Sequence, residues 1–109
     1  WEAGDREEGF DMVCRTFGED PDRKDVLDSI VRMGRELRKH EEVERSLREY
    51  LTYHPADLDV LTSLSETFFH LGKPEQAEEE LRKVLIFDSD NSRASAIMEE
   101  MRNVTRDAG

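Results

Sequence analysis

An all-α solenoid of about six helices, stacked as antiparallel pairs, is predicted by three observations. The chain repeats with a period of 34 residues: Asp25-Val26-Leu27 returns as Asp59-Val60-Leu61, Pro21 as Pro55, Val13 as Leu47 and Leu81, and Phe17 as Leu51 and Leu85. Within each period the apolar residues fall three and four apart, which gathers them on one face of a helix. With 36% hydrophobic and 39% charged residues in 109, the supply is poor for a closed core and adequate for thin stacked layers. One elongated domain, 1–109, is expected, each helix pair burying its apolar face against its neighbours.

The first helix, over 4–21, occupies the second half of a truncated leading repeat. Gly4 and Gly9 share columns with Gly72 and Ala77, and Val13 and Pro21 follow in register. A full repeat spans 22–55, with Leu27, Ile30, Val31 and Gly34 on its first helix and Val43, Leu47 and Tyr50 on its second. The repeat over 56–89 is cleaner. Val60, Leu61, Leu64, Phe68 and Leu71 share one face, and Gly72 ends the helix. Pro74 opens the next one, because its fixed backbone and missing N–H suit a first helical turn. Glu75, Glu78, Glu79 and Glu80 lie near the positive end of that helix, Arg82 and Lys83 come later, and the apolar stripe is Ala77, Leu81, Val84 and Leu85. A closing helix over 90–106 is capped by Asn91 and carries Ala94, Ile97, Met98, Met101 and Val104 on one side. The chain after Asn103 is expected to fray, ending in a tail at 107–109.

The series Leu61-x2-Leu64-Ser65-x2-Phe68-x3-Gly72-x4-Ala77-x3-Leu81-x2-Val84 resembles the tetratricopeptide repeat (TPR), and the frame covers nearly the whole chain. Ser89 departs from it, standing where the family usually has proline. The resemblance implies a right-handed superhelix and a non-catalytic protein–protein interaction scaffold, in which first helices line a concave groove that holds a peptide or a helix of another protein. Carried over residue by residue, the groove candidates are Asp25, Asp28, Arg32, Arg35 and Glu36, then Asp59, Thr62, Glu66, Phe69 and His70. The closing helix adds Arg93, Ala96 and Glu100; Phe69 is the expected anchor, with packing against the closing helix as the alternative place for its ring. One TPR subgroup clamps chaperone C-terminal carboxylates with lysines and asparagines. Asp28 and Thr62 stand where that clamp wants basic or amide groups, so it is not expected here. Arg32 and Arg35 are left either to grip one carboxylate or to be neutralised by Asp28 and Glu36 as pairs along the helix surface.

One column breaks the pattern. Gly34 stands where Phe68 and the family place an aromatic ring, and Tyr50 stands where the family keeps a small residue. Two readings are open: the Tyr50 ring fills the space left by Gly34, because an interior helical glycine already costs about 1 kcal/mol and an empty gap would add to it, or the two columns have simply decayed from the repeat pattern.

The formal net charge of −11 argues against nucleic acid and anionic membrane partners and favours basic or neutral ones. No apolar run reaches the roughly 18–20 residues of a membrane span, so solubility is expected. Cys14 is the only cysteine; with no intrachain disulfide possible, a reducing, cytoplasmic setting is expected. It lies on a helical stripe between Val13 and Phe17 without a neighbouring base, as a structural thiol would. His40, His54 and His70 fall on separate parts of the frame, and Asp88-Ser89-Asp90-Asn91 lacks the glycine and the distant glutamate of a calcium loop. No metal, cofactor or catalytic constellation is expected, and Asn103-Val104-Thr105 is discounted as a chance glycosylation triplet. Three functional classes follow: a protein- or peptide-binding scaffold, a homo-oligomerisation segment that covers an exposed terminal helix face with a second copy, and an accessory domain of a larger enzyme. The start at Trp1 falls inside a repeat and suggests a piece of a longer protein.

Overall fold

The computed structural model describes residues 3–108, with side chains for 5–104; Trp1 and Gly109 lie outside the described residues. Six α-helices and no strand occur among them: α1 (Ala3–Glu19), α2 (Lys24–Glu36), α3 (His40–Tyr53), α4 (Leu58–His70), α5 (Pro74–Phe87) and α6 (Ser92–Ala108). The starts of α2, α4 and α6, and those of α3 and α5, keep the 34-residue period. The fold is an all-α helical repeat. Its contacts divide into two compact units, Trp1–Pro55 and Ala56–Gly109. In the first, α2 and α3 form a hairpin and α1 packs on both; in the second, α4 and α5 form the hairpin and α6 packs on both.

The hairpin turns are built alike. At the end of α4, Gly72 takes φ +73°, Lys73 N–H donates to the Phe68 carbonyl at 2.9 Å, and Gly72 N–H donates to Phe69 at 3.1 Å. This pair of bonds satisfies the carbonyls left open at the helix end, and glycine accepts the left-handed conformation without strain. At the end of α2, Lys39 N–H donates to Gly34 at 2.7 Å and Arg38 N–H to Arg35 at 3.2 Å, but the left-handed residue is Arg38, at φ 58°. A side chain there crowds the following carbonyl. Arg38→Gly is therefore expected to raise the unfolding free energy by about 0.5–1 kcal/mol in a urea titration, glycine's chain entropy offsetting part of the relief.

Helix starts are secured locally. Asp57 caps α4, accepting from Val60 N–H at 3.2 Å, and the Asn91 side chain accepts from Ala94 N–H at 2.9 Å. In the first unit Phe10, Phe17, Leu27, Ile30, Val43 and Leu47 are buried; in the second, Leu64, Phe68, Ala77, Leu81, Val84 and Ala94. Each large side chain so enclosed stabilises the fold by about 1.5–3 kcal/mol through burial.

The structure corrects one expectation. A Cβ built on Gly34 would overlap Val43 Cγ2 and come within 3.3 Å of Phe10 Cε2, so Val43 and Phe10 fill that space, not Tyr50. Tyr50 is buried elsewhere, stacked on His54 with ring centroids 4.6 Å apart. The exchange of volume is thus Gly34–Val43 in one hairpin for Phe68–Ala77 in the other. The closing helix runs from Ser92 through Ala108, with no glycine or proline to stop it earlier. At 17 residues it outruns the 14 of α5 by most of a turn, which leaves Val104 half exposed.

Candidate functional site

In the second unit the accessible residues of α4 recur at three and four, Asp59, Ser63, Glu66 and His70, forming one row along the helix. Phe69 borders it, half-buried, its ring 6.2 Å from that of His70. Arg93 of α6 reaches this row and donates to Ser63 Oγ at 3.2 Å, while Ala96 and Glu100 are exposed on α6. The combination is acidic on balance, with one aromatic among polar neighbours.

Thr62, placed in the groove on sequence, is instead 1% exposed. Its hydroxyl donates to the Leu58 carbonyl at 2.7 Å, which satisfies the group inside its own helix and leaves nothing to offer a partner. Ser65 and Thr67 are buried on the same terms, donating to Thr62 and Ser63 carbonyls at 2.8 Å.

In the first unit Asp28, Arg32 and Glu36 are exposed on α2 and Arg35 is half-buried. The pairing of Arg32 with Asp28 is not formed among the described residues. At the start of α2, Arg23 pairs with Asp25 at 2.7 Å. The Arg23 hydrogen bond holds the exposed Asp25 carboxyl below its ordinary range.

The remaining chemistry is sparse. Among the described residues no group of three or more His, Cys, Asp or Glu is placed to hold a metal ion. Asp88 and Asn91 serve the turn before α6, with Asn91 Nδ2 donating to Asp88 Oδ2 at 3.3 Å. Burial, reinforced by Asp11 and Glu42 and partly opposed by Arg45, pushes the Cys14 thiol above its ordinary range. It stays protonated and weakly nucleophilic at neutral pH. Iodoacetamide at pH 7.5 should alkylate Cys14 several-fold more slowly than a free cysteine, a gap that closes in urea. No described helix is long and apolar enough to cross a membrane.

Two features had no signal in the sequence. His54, the C-cap of α3, pairs with Asp22 in the turn between α1 and α2. Two clefts open between α1 and α2, one of about 470 Å³ lined by Arg6, Met33, Glu36 and Leu37 and one of about 200 Å³ lined by Val13, Thr16, Asp25, Val26 and Ser29.

The sequence model of the tetratricopeptide repeat matches residues 35–101, more than half of the chain. The chain belongs to the tetratricopeptide repeat family. A search of the curated proteins finds no match. Among solved structures, this TPR protein is similar to the first TPR of Spaghetti (RPAP3) bound to the HSP90 peptide SRMEEVD. The TM-score is 0.75 at 16% identity, covering 94% of this chain and 82% of that one. At that identity the likeness speaks to the fold.

Proposed function

We propose that this chain is a non-catalytic scaffold that binds a peptide or protein segment along its accessible first-helix rows. The observation that carries the reading is Phe69, a half-buried aromatic beside the polar row of Asp59, Glu66 and His70, which Arg93 of α6 reaches at Ser63. An aromatic so placed supplies the apolar burial of a hot spot, while charges around it set orientation and register. Asp28, Arg32 and Arg35 on α2 provide a second row of mixed sign. The segment that fits is apolar at its centre and basic at its flanks.

The RPAP3 domain holds an acidic peptide. Asp28 and the buried Thr62 oppose a similar clamp here, and the net charge of −11 disfavours an acidic ligand at long range. A free, reducing, cytoplasmic chain is consistent with the lone protonated thiol of Cys14.

The test is selection of peptides from a random display library on the native chain, followed by fluorescence polarisation. Selected peptides are expected to carry lysine or arginine around an apolar residue. They should lose at least about tenfold in affinity, roughly 1.4 kcal/mol, on the double change Arg32→Ala and Phe69→Ala. SRMEEVD should bind far more weakly. Equal binding by native and doubly changed chains removes these rows from the function.

A further inference from the structure

The second helix of each period ends in the same column, at Glu19 in α1, Tyr53 in α3 and Phe87 in α5, with Gly18, Thr52 and Ile86 just before. These two columns face away from the repeat's own packing. In the first unit α2 and α3 both pack on α1, yet a Cβ built on Gly18 meets nothing within 4 Å and Glu19 is exposed. A side chain there clears the helix pair that follows it. Glycine, threonine, glutamate and tyrosine hold the two columns in α1 and α3, as solvated positions allow. In α5 they hold Ile86 and Phe87, 79% and 71% exposed, the two most exposed large apolar side chains among the described residues. Consecutive in the chain, they form one apolar knuckle at the end of the helix. Its surroundings are acidic on balance. One turn back, Arg82 is paired with Glu78 at 2.6 Å and Lys83 with Glu80 at 3.2 Å. No basic residue falls in the last turn of α5, and Asp88 and Asp90, both exposed, come next. The carbonyl end of the helix carries the same sign.

We propose that Ile86 and Phe87 form a docking surface for a segment of a partner protein that carries aliphatic or aromatic side chains next to lysine or arginine. Burial of the knuckle supplies the anchor, and the partner's cations meet Asp88 and Asp90. The charge decides among occupants. Two copies of a chain of net charge −11 repel one another, and an anionic bilayer is opposed on the same ground, whereas a basic segment is drawn in. This surface is separate from the rows proposed above, to which α5 contributes no residue.

The probe is a displayed library of random peptides, panned on the native chain in the presence of excess soluble chain carrying Ile86→Ser and Phe87→Ser. The competitor removes binders of every other surface, the α4 and α6 rows included. Both substitutions lie at exposed positions and should leave the melting temperature unchanged. Surviving peptides should combine leucine, isoleucine or phenylalanine with lysine or arginine, bind the doubly changed chain at least about tenfold more weakly, and give saturable shifts at the Ile86 methyls of the native chain. Asp90→Asn should weaken them several-fold. An empty selection, survivors of acidic composition, or shifts that map away from Ile86 overturn the proposal. A dimer by light scattering, or pelleting with phosphatidylcholine vesicles, abolished by the double change, also overturns it by assigning the knuckle to a second copy or to a bilayer. Methyl mapping on the native chain decides the matter even if the double change perturbs folding.

Discussion

Phe10→Ala should lower the unfolding free energy by about 3–5 kcal/mol, read as a fall in the urea midpoint by circular dichroism. The Phe10 ring is 0% exposed and lies over the backbone of Gly34, which has no side chain of its own, with only the stiff β-branched Val43 beside it to relax into the space it leaves. Cavity formation costs most where the surroundings cannot collapse, and a helical glycine backbone is a rigid wall. In a domain whose total stability is on the order of 5–15 kcal/mol, the loss should leave α1 measurably unfolded at ambient temperature. Met12→Ala is the control on the same helix, 61% exposed and expected within about 0.5 kcal/mol of the native chain. A Phe10→Ala loss no larger than that of the control would place the ring outside the core.

Gly34→Ala should change sign with its background. Intrinsic propensity favours alanine at an interior helical position by about 1 kcal/mol. In the native chain the new methyl overlaps Val43 Cγ2, a β-branched side chain with little rotamer freedom, and overpacking of this kind costs about 1–3 kcal/mol. Net destabilisation is expected. With Val43→Ala already in place, the same methyl occupies vacated volume and should stabilise the protein. A double-mutant cycle reads the coupling directly, with about 1–3 kcal/mol expected. Equal effects in both backgrounds would show that Gly34 and Val43 do not share one space.

What was legible in the sequence is what local chemistry dictates. Gly72, Lys73 and Pro74 specify a helix end, a turn and a helix start by backbone conformation alone, and α4 and α5 meet there. Asn91 is a cap by virtue of its side-chain oxygen, wherever the rest of the molecule lies. The contents of the space over Gly34 were not legible. Val43 faces it from across the turn, whereas Tyr50 is seven residues further on, about 10 Å along the helix. Comparing columns reveals that volume has moved without revealing which neighbour received it. Thr62 misled for a related reason, since a hydroxyl that can bond the carbonyl four residues back is not committed to the surface. Arg38 gave no sign of its left-handed backbone because only glycine advertises one, and His54 with Asp22 stand 32 residues apart in sequence. The accessible charges of the candidate rows followed from helical periodicity, whereas Thr62, the uncharged hydroxyl placed with them, is buried.

The unequal filling of the two hairpins limits how this protein can be recombined. Grafting α5 behind α2 would set Ala77 against Gly34 and open a void, while grafting α3 behind α4 would force Val43 into Phe68. Chimeras assembled from whole hairpins keep each matched pair together, so the smallest transplantable module here is two helices with their connecting turn.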